Sequence, residues 1–224
     1  MPRQPAITRR LFLGSAAAAA GAASAPAFAA APIEVIDAHT HFFDPRRPEG
    51  VTWPTPDMSI YRPVLPEEFV TLTRPFNVRG AVVVEVSERL EDHDWALAMA
   101  ERNPVIVAYL GRLTPGRPEF AGLLERYARN RLFRGLRTFF GTIGEGLNQP
   151  LFVEDLKRMA AAGLEIDIAG GPRQLGQAAI NMAKLADRIP DLRMVINHLP
   201  MPKPEADAER ALLKTGLNEL RHCP

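Results

Sequence analysis

Residues 33–45 read Ile-Glu-Val-Ile-Asp-Ala-His-Thr-His-Phe-Phe-Asp-Pro. Ile33, Val35 and Ile36 are apolar and β-branched, which predicts a short buried strand over Ile33–Ala38. Asp37, His39 and His41 follow at a spacing of two. In extended chain, alternate side chains share a face, so these three point one way while Ala38 and Thr40 point the other. Two neutral imidazoles on one face at a strand end can grip a single divalent ion. Pro45 ends any continuation of the strand. His-x-His alone is a weak motif, so the rest of the chain decides its weight.

Outward from this stretch, strand-like and helix-like segments alternate. After Ile33–Ala38 comes a loop rich in proline and aromatic residues, Pro48–Pro66, with Trp53 and Tyr61. A helix is predicted over Glu67–Arg74, then a continuously apolar strand, Gly80–Val86, of the kind buried on both faces. The order continues with a helix at Asp92–Arg102, a strand at Val105–Leu110, a helix at Pro118–Asn130 and a strand at Phe133–Phe139. Then follow a helix at Leu151–Ala162 stopped by Gly163, a strand at Leu164–Ile168 and a helix at Pro172–Arg188. A strand at Arg193–Asn197 and a helix at Pro204–Arg221 complete the series.

Six β-then-α units predict a parallel sheet with helices outside it. An open doubly wound sheet and a (β/α)8 barrel both satisfy that pattern. A Gly-x-Gly-x-x-Gly turn does not follow any strand, which lowers the dinucleotide-binding version. Polar residues gather just beyond strand C-termini: His39, His41, Glu85, Ser87, Arg137, Asp167 and His198. Both architectures build their sites at that rim.

The first 29 residues read as a targeting segment. Arg3, Arg9 and Arg10 precede an uncharged, alanine-rich run, and Ala27-Phe28-Ala29 supplies a small-x-small cleavage site. Thr8-Arg9-Arg10-Leu11-Phe12-Leu13-Gly14 resembles a twin-arginine export signal. The division expected is therefore a leader over 1–29, read by the export machinery, and one domain over 30–224 in the periplasm or outside. Gly14, Ser15, Gly21, Ser24 and Pro26 argue against the same run persisting as a membrane anchor. Removing the leader takes three arginines and no acid, turning a formal +1 into −2. That balance offers no support for a nucleic-acid partner. Cys223 is the sole cysteine, so an internal disulfide is impossible.

With the motifs in order, the chain resembles the amidohydrolase-related family of metal-dependent barrel hydrolases, most of all its branch of sugar-acid and dicarboxylate lactonases. Ile36–Pro45 is similar to that family's opening strand, Phe133-Arg134-Gly135-Leu136-Arg137 to its fourth, and Asp191–Pro200 to its sixth with the terminal His198. The resemblance implies a (β/α)8 TIM barrel, here incomplete at six β/α units, and one divalent ion, zinc or manganese. It departs from the family's pattern in three places. Asp167-Ile168-Ala169-Gly170 stands where many members have a fifth-strand histidine, Asn197 stands where aspartate is common, and the family's essential aspartate follows strand eight.

The expected roles follow. His39 and His41 would hold the ion, with Glu85 as a further ligand or an ion-pair partner of Arg137. His198 would hold the carbonyl oxygen or the attacking water. Arg137 and Arg173 would clamp a substrate carboxylate. The general base expected is the family's aspartate after strand eight; turnover by the 224 residues alone would require one among Asp37, Glu85 and Asp167, the carboxylates at or near the site, of which Asp167 is counted with the catalytic set. Trp53 and Tyr61 would line the mouth; His93 and His222 are expected at the surface. The function expected is hydrolysis of a carboxylate-bearing lactone or related cyclic ester, against two alternatives: a non-oxidative decarboxylase of the same superfamily, and a non-catalytic periplasmic binding protein or inactive remnant. Residues 30–224 number 195, whereas such a barrel typically takes about 250. Two further β/α units are therefore expected downstream. Without them Val35, Ile36, Val195 and Ile196 would lie on open sheet edges.

Overall fold

Strands Val35–Thr40 (β1), Val78–Val84 (β2), Ile106–Gly111 (β3), Phe133–Phe139 (β4), Glu165–Ala169 (β5) and Arg193–Ile196 (β6) form one six-stranded sheet in the order β1-β2-β3-β4-β5-β6. Every neighbouring pair is parallel. This is a computed structural model, and it describes residues 33–198, 206–221 and 223. The leader, Pro204 and His222 lie outside the described residues. Glu34–Pro224 makes one compact unit. The helices between strands are Pro66–Thr73 (α1), Leu90–Arg102 (α2), Phe120–Ala128 (α3), Phe140–Gly146 (α4), Pro150–Ala161 (α5) and Leu175–Arg188 (α6), with Asp207–Leu220 (α7) after β6. Strictly sequential parallel strands joined by helices are the arrangement of a (β/α)8 barrel seen over six of its units, so of the two architectures the barrel holds.

The core lies between the sheet and the helices. Tyr109, Phe133, Leu136, Ile166 and Ile168 from the strands are packed against Phe120, Phe152, Leu156, Met159 and Leu185 from the helices. Gly135 is required by close approach: a Cβ there would meet the Glu165 carbonyl oxygen of the neighbouring strand at 2.2 Å. Gly216 plays the same part where α7 meets α6, its added Cβ falling 2.2 Å from the Gly176 oxygen. Among the described residues no helix is long and apolar enough to cross a membrane.

Three expectations are corrected. The first strand is not buried: Val35 is 40% exposed and Ile36 51%. The cause is position, since β1 sits at the sheet edge with a neighbour on one side only. Val195, in the edge strand β6 of the described sheet, is likewise exposed. His93 is not at the surface but wholly buried in the inner face of α2, its Nδ1 3.0 Å from the Tyr109 hydroxyl and its ring against Tyr127. Helix α4 went unread because Gly141, Gly144 and Gly146 lower its helix propensity; burial of Phe140 and Ile143 holds it instead.

Candidate active site

At the end of β1, local bonds set the two histidines. The Asp37 carboxylate accepts the backbone N–H of His39 at 3.1 Å, and the Thr40 hydroxyl donates to the Val82 carbonyl oxygen at 2.9 Å, tying β1 to β2. His41 Nδ1 lies 2.7 Å from the Val84 carbonyl oxygen. A carbonyl only accepts, so this nitrogen carries the proton and Nε2 keeps its lone pair. His41 Nε2 faces His39 Nε2 at 3.0 Å. Burial, aided by His41, His198 and Arg137 nearby, holds the His39 imidazole down at about 4. Burial also lowers His41, against the Val84 bond. Both rings are therefore neutral near pH 7, the state in which imidazole binds cations.

His198 stands just past β6 in the left-handed region, φ 65°, and is exposed with its ring centre 4.5 Å from that of His39. A cleft of about 830 Å³ opens here at the C-terminal ends of the strands. His41, His198 and Trp53 border it, and Arg89, Arg112, Arg137 and Phe139 are among the other lining residues. Trp53 stands edge-on to His41 at 5.3 Å and to Phe43 at 5.4 Å. The guanidiniums of Arg112 and Arg137 both lie over Phe139, at 5.0 and 5.7 Å from its ring centre.

The other expected residues go elsewhere. Glu85 turns onto the backbone that follows it, Oε1 accepting the N–H groups of Val86 and Ser87 at 2.8 Å each. Its carboxyl is raised chiefly by burial. Asp167 is 4% exposed behind the cleft wall, where Asn197 donates to its Oδ2 at 2.9 Å. Burial, opposed by Arg137, pushes this carboxyl up to about 6. Asp167 and Arg137 are register partners on β5 and β4, and among the described residues Asp167 Oδ1 and Arg137 Nε are both buried without a hydrogen-bond partner. Arg173 and Tyr61 are exposed and do not border the cleft. Arg112 and Arg89 border it and escaped the sequence reading. Arg112 directly follows β3, so the rule that sites collect after strand ends would have found it; Arg89 opens α2 and carried no such signal.

An ion fits the histidine pair. Two nitrogens bound to one zinc at about 2.0–2.1 Å and a tetrahedral angle lie about 3.3 Å apart, close to the 3.0 Å found here. The Val84 carbonyl supplies the outer bond that orients such a ligand. Among the described residues no group of three or more His, Cys, Asp or Glu side chains is arranged to hold an ion; His39 and His41 are a pair that could supply two ligands.

The chain is 28% identical over 192 residues to an L-fucono-1,5-lactonase of Burkholderia ambifaria, covering 84% of this chain. It spans 64% of that relative's length. Its fold is similar to a zinc-bound amidohydrolase from Burkholderia multivorans, with a TM-score of 0.69 at 20% identity, covering 86% of this chain and 67% of that one. It is also similar to a probable 2-pyrone-4,6-dicarboxylic acid hydrolase from Acinetobacter baumannii with citric acid bound, with a TM-score of 0.63 at 18% identity, covering 84% and 67%. Residues 36–224 match the amidohydrolase family model, a family typically dependent on metal, and the chain belongs to that family.

Proposed function

We propose that this protein is an exported hydrolase that opens a carboxylate-bearing lactone or related cyclic ester. The observation that carries the reading is a cleft bordered by His41, whose neutral imidazole faces that of His39, and by the guanidiniums of Arg112 and Arg137. A ring ester with an acid group needs both: a place to polarise its carbonyl and a cationic clamp for its charge. The 28% identical lactonase supports the reaction class, and the Arg9-Arg10 leader supports export.

His39 and His41 are the residues that would hold one divalent ion, zinc or manganese. Such an ion supplies Lewis-acid polarisation of a carbonyl and lowers the pKa of water. Arg112 and Arg137 hold the substrate carboxylate, and Phe139 beneath them limits where the guanidiniums can swing. Trp53 packs on the apolar face of the ring and excludes water from that side. His198, exposed beside His39, holds the carbonyl oxygen or the attacking water. Asp167 acts from behind the wall, as the counter-charge that keeps Arg137 in place. Water adds to the carbonyl, the ring C–O bond breaks, the released hydroxyl takes one proton, and the new carboxylate sheds the other to solvent.

Proton release in weak buffer tests this. A lactone bearing a carboxylate should be opened faster than its neutral counterpart; failure to open either would remove the proposal.

A further inference from the structure

Glu85 was expected as a metal ligand or an ion-pair partner of Arg137; in the structure its carboxylate accepts bonds from the loop that follows it. We infer that Glu85 is a positioning residue: it shapes the β2–α2 loop that presents Arg112 to a substrate carboxylate. The inference rests on the carboxylate reading of the cleft given above.

The chain of contacts is continuous. Glu85 leaves β2 still in the ladder, its N–H donating to the Leu110 carbonyl at 2.8 Å. Its side chain then folds forward, and one carboxylate oxygen accepts both Val86 and Ser87 N–H groups. Two charge-assisted bonds to successive amides fix the direction of the peptide units between them. One consequence is the aim of the Val86 carbonyl, which accepts Nη1 of Arg112. The other nitrogen end of Arg112 meets Glu88 at 3.2 Å, on the same loop. Ser87 Oγ in turn accepts the Arg89 N–H at 3.2 Å. Val86, Ser87, Glu88, Arg89 and Arg112 all border the cleft, so this wall hangs on one carboxylate.

The buried core braces the same two segments. The Tyr109 hydroxyl lies 3.5 Å from Glu85 Oε2 and 3.0 Å from His93 Nδ1. Glu85 thus stands where β2, β3 and α2 meet, with both of its oxygens directed at neighbours. A ligand would need one of them turned toward the histidines.

The test uses the full chain and the variants Glu85→Gln, Glu85→Leu and Arg112→Gln. Gluconate is the probe, sorbitol its uncharged counterpart, and binding is read by titration calorimetry. Hydrogen exchange of the 85–89 segment is followed by mass spectrometry. Wild type should favour gluconate by about tenfold or more, the worth of a charge-assisted pair. Glu85→Gln keeps an oxygen that can accept both amides, so exchange and preference should stay within about twofold, with metal content unchanged. Glu85→Leu should speed exchange and cut the preference about tenfold. Arg112→Gln should cut the preference equally while leaving exchange slow, and it decides the matter if the leucine variant does not fold. Loss of metal in Glu85→Gln, exchange unaltered in Glu85→Leu, or a gluconate preference that is absent in wild type or survives Arg112→Gln would each overturn the inference. Failure of lactone opening with these binding results intact would overturn the proposed reaction alone.

Discussion

His41 Nδ1 donates to the Val84 carbonyl oxygen across 2.7 Å, and this bond turns the other ring nitrogen toward His39. A strand-to-strand contact therefore sets the tautomer of a candidate ligand. The edge strand β1 gains from β2 both its pairing and the chemistry of its histidine.

His39→Ala with His41→Ala should abolish turnover and lower bound zinc together, measured by proton release and elemental analysis. Neither ring belongs to the apolar core, so the circular dichroism spectrum should stay close to that of wild type. Full turnover by the double variant would end the assignment; unchanged metal with lost activity would end only the ligand role.

Asp167→Asn should change how stability depends on pH. The folded carboxyl is raised from 3.8 to about 6, so the native state binds more protons than the unfolded one between these values. Its stabilising contribution is complete below about pH 4 and is lost as pH rises through 6. The asparagine variant lacks that loss. Relative to wild type it should gain up to about 3 kcal/mol between pH 4 and 7, read from urea unfolding at each pH. A constant difference across the range would contradict this.

Gly135→Ala should destabilise the sheet by about 1–3 kcal/mol. The added Cβ meets backbone of β5, at the Glu165 carbonyl, and a paired strand has little freedom to give way. Thermal melting of the variant checks it; an unshifted midpoint would mean that β4 and β5 can separate at no cost.

The isolated 224-residue chain should self-associate. Val35 and Ile36 on one edge strand and Val195 on the other are exposed, and among the described residues β1 and β6 each pair on one side only. Ile36→Lys with Val195→Lys should reduce light scattering at equal concentration, since edge lysines oppose strand addition. Equal scattering from both proteins would locate association elsewhere.

Arg9→Lys with Arg10→Lys should leave precursor in the cytoplasm, followed by fractionation and immunoblotting. Periplasmic yield equal to wild type would remove the twin-arginine reading and leave a general secretory signal.

Much of this molecule was legible in local sequence. The spacing of two in Asp37, His39 and His41, the apolar run before Glu85 and the six β-then-α units determine a parallel sheet and the rim at which its polar residues gather. These are properties of neighbours in the chain, which periodicity and side-chain alternation report directly. Tertiary structure alone decided which rim residues meet. Arg112 joins Arg137 over Phe139 because β3 lies beside β4. Glu85 bends onto its own loop where the sequence permitted a ligand, and Asp167 sinks behind the wall to meet Asn197 from β6. His93 turns inward to Tyr109, sixteen residues away. Each of these outcomes depends on strand register and on the cost of leaving a buried polar group unpaired, and both are settled only when separate segments pack.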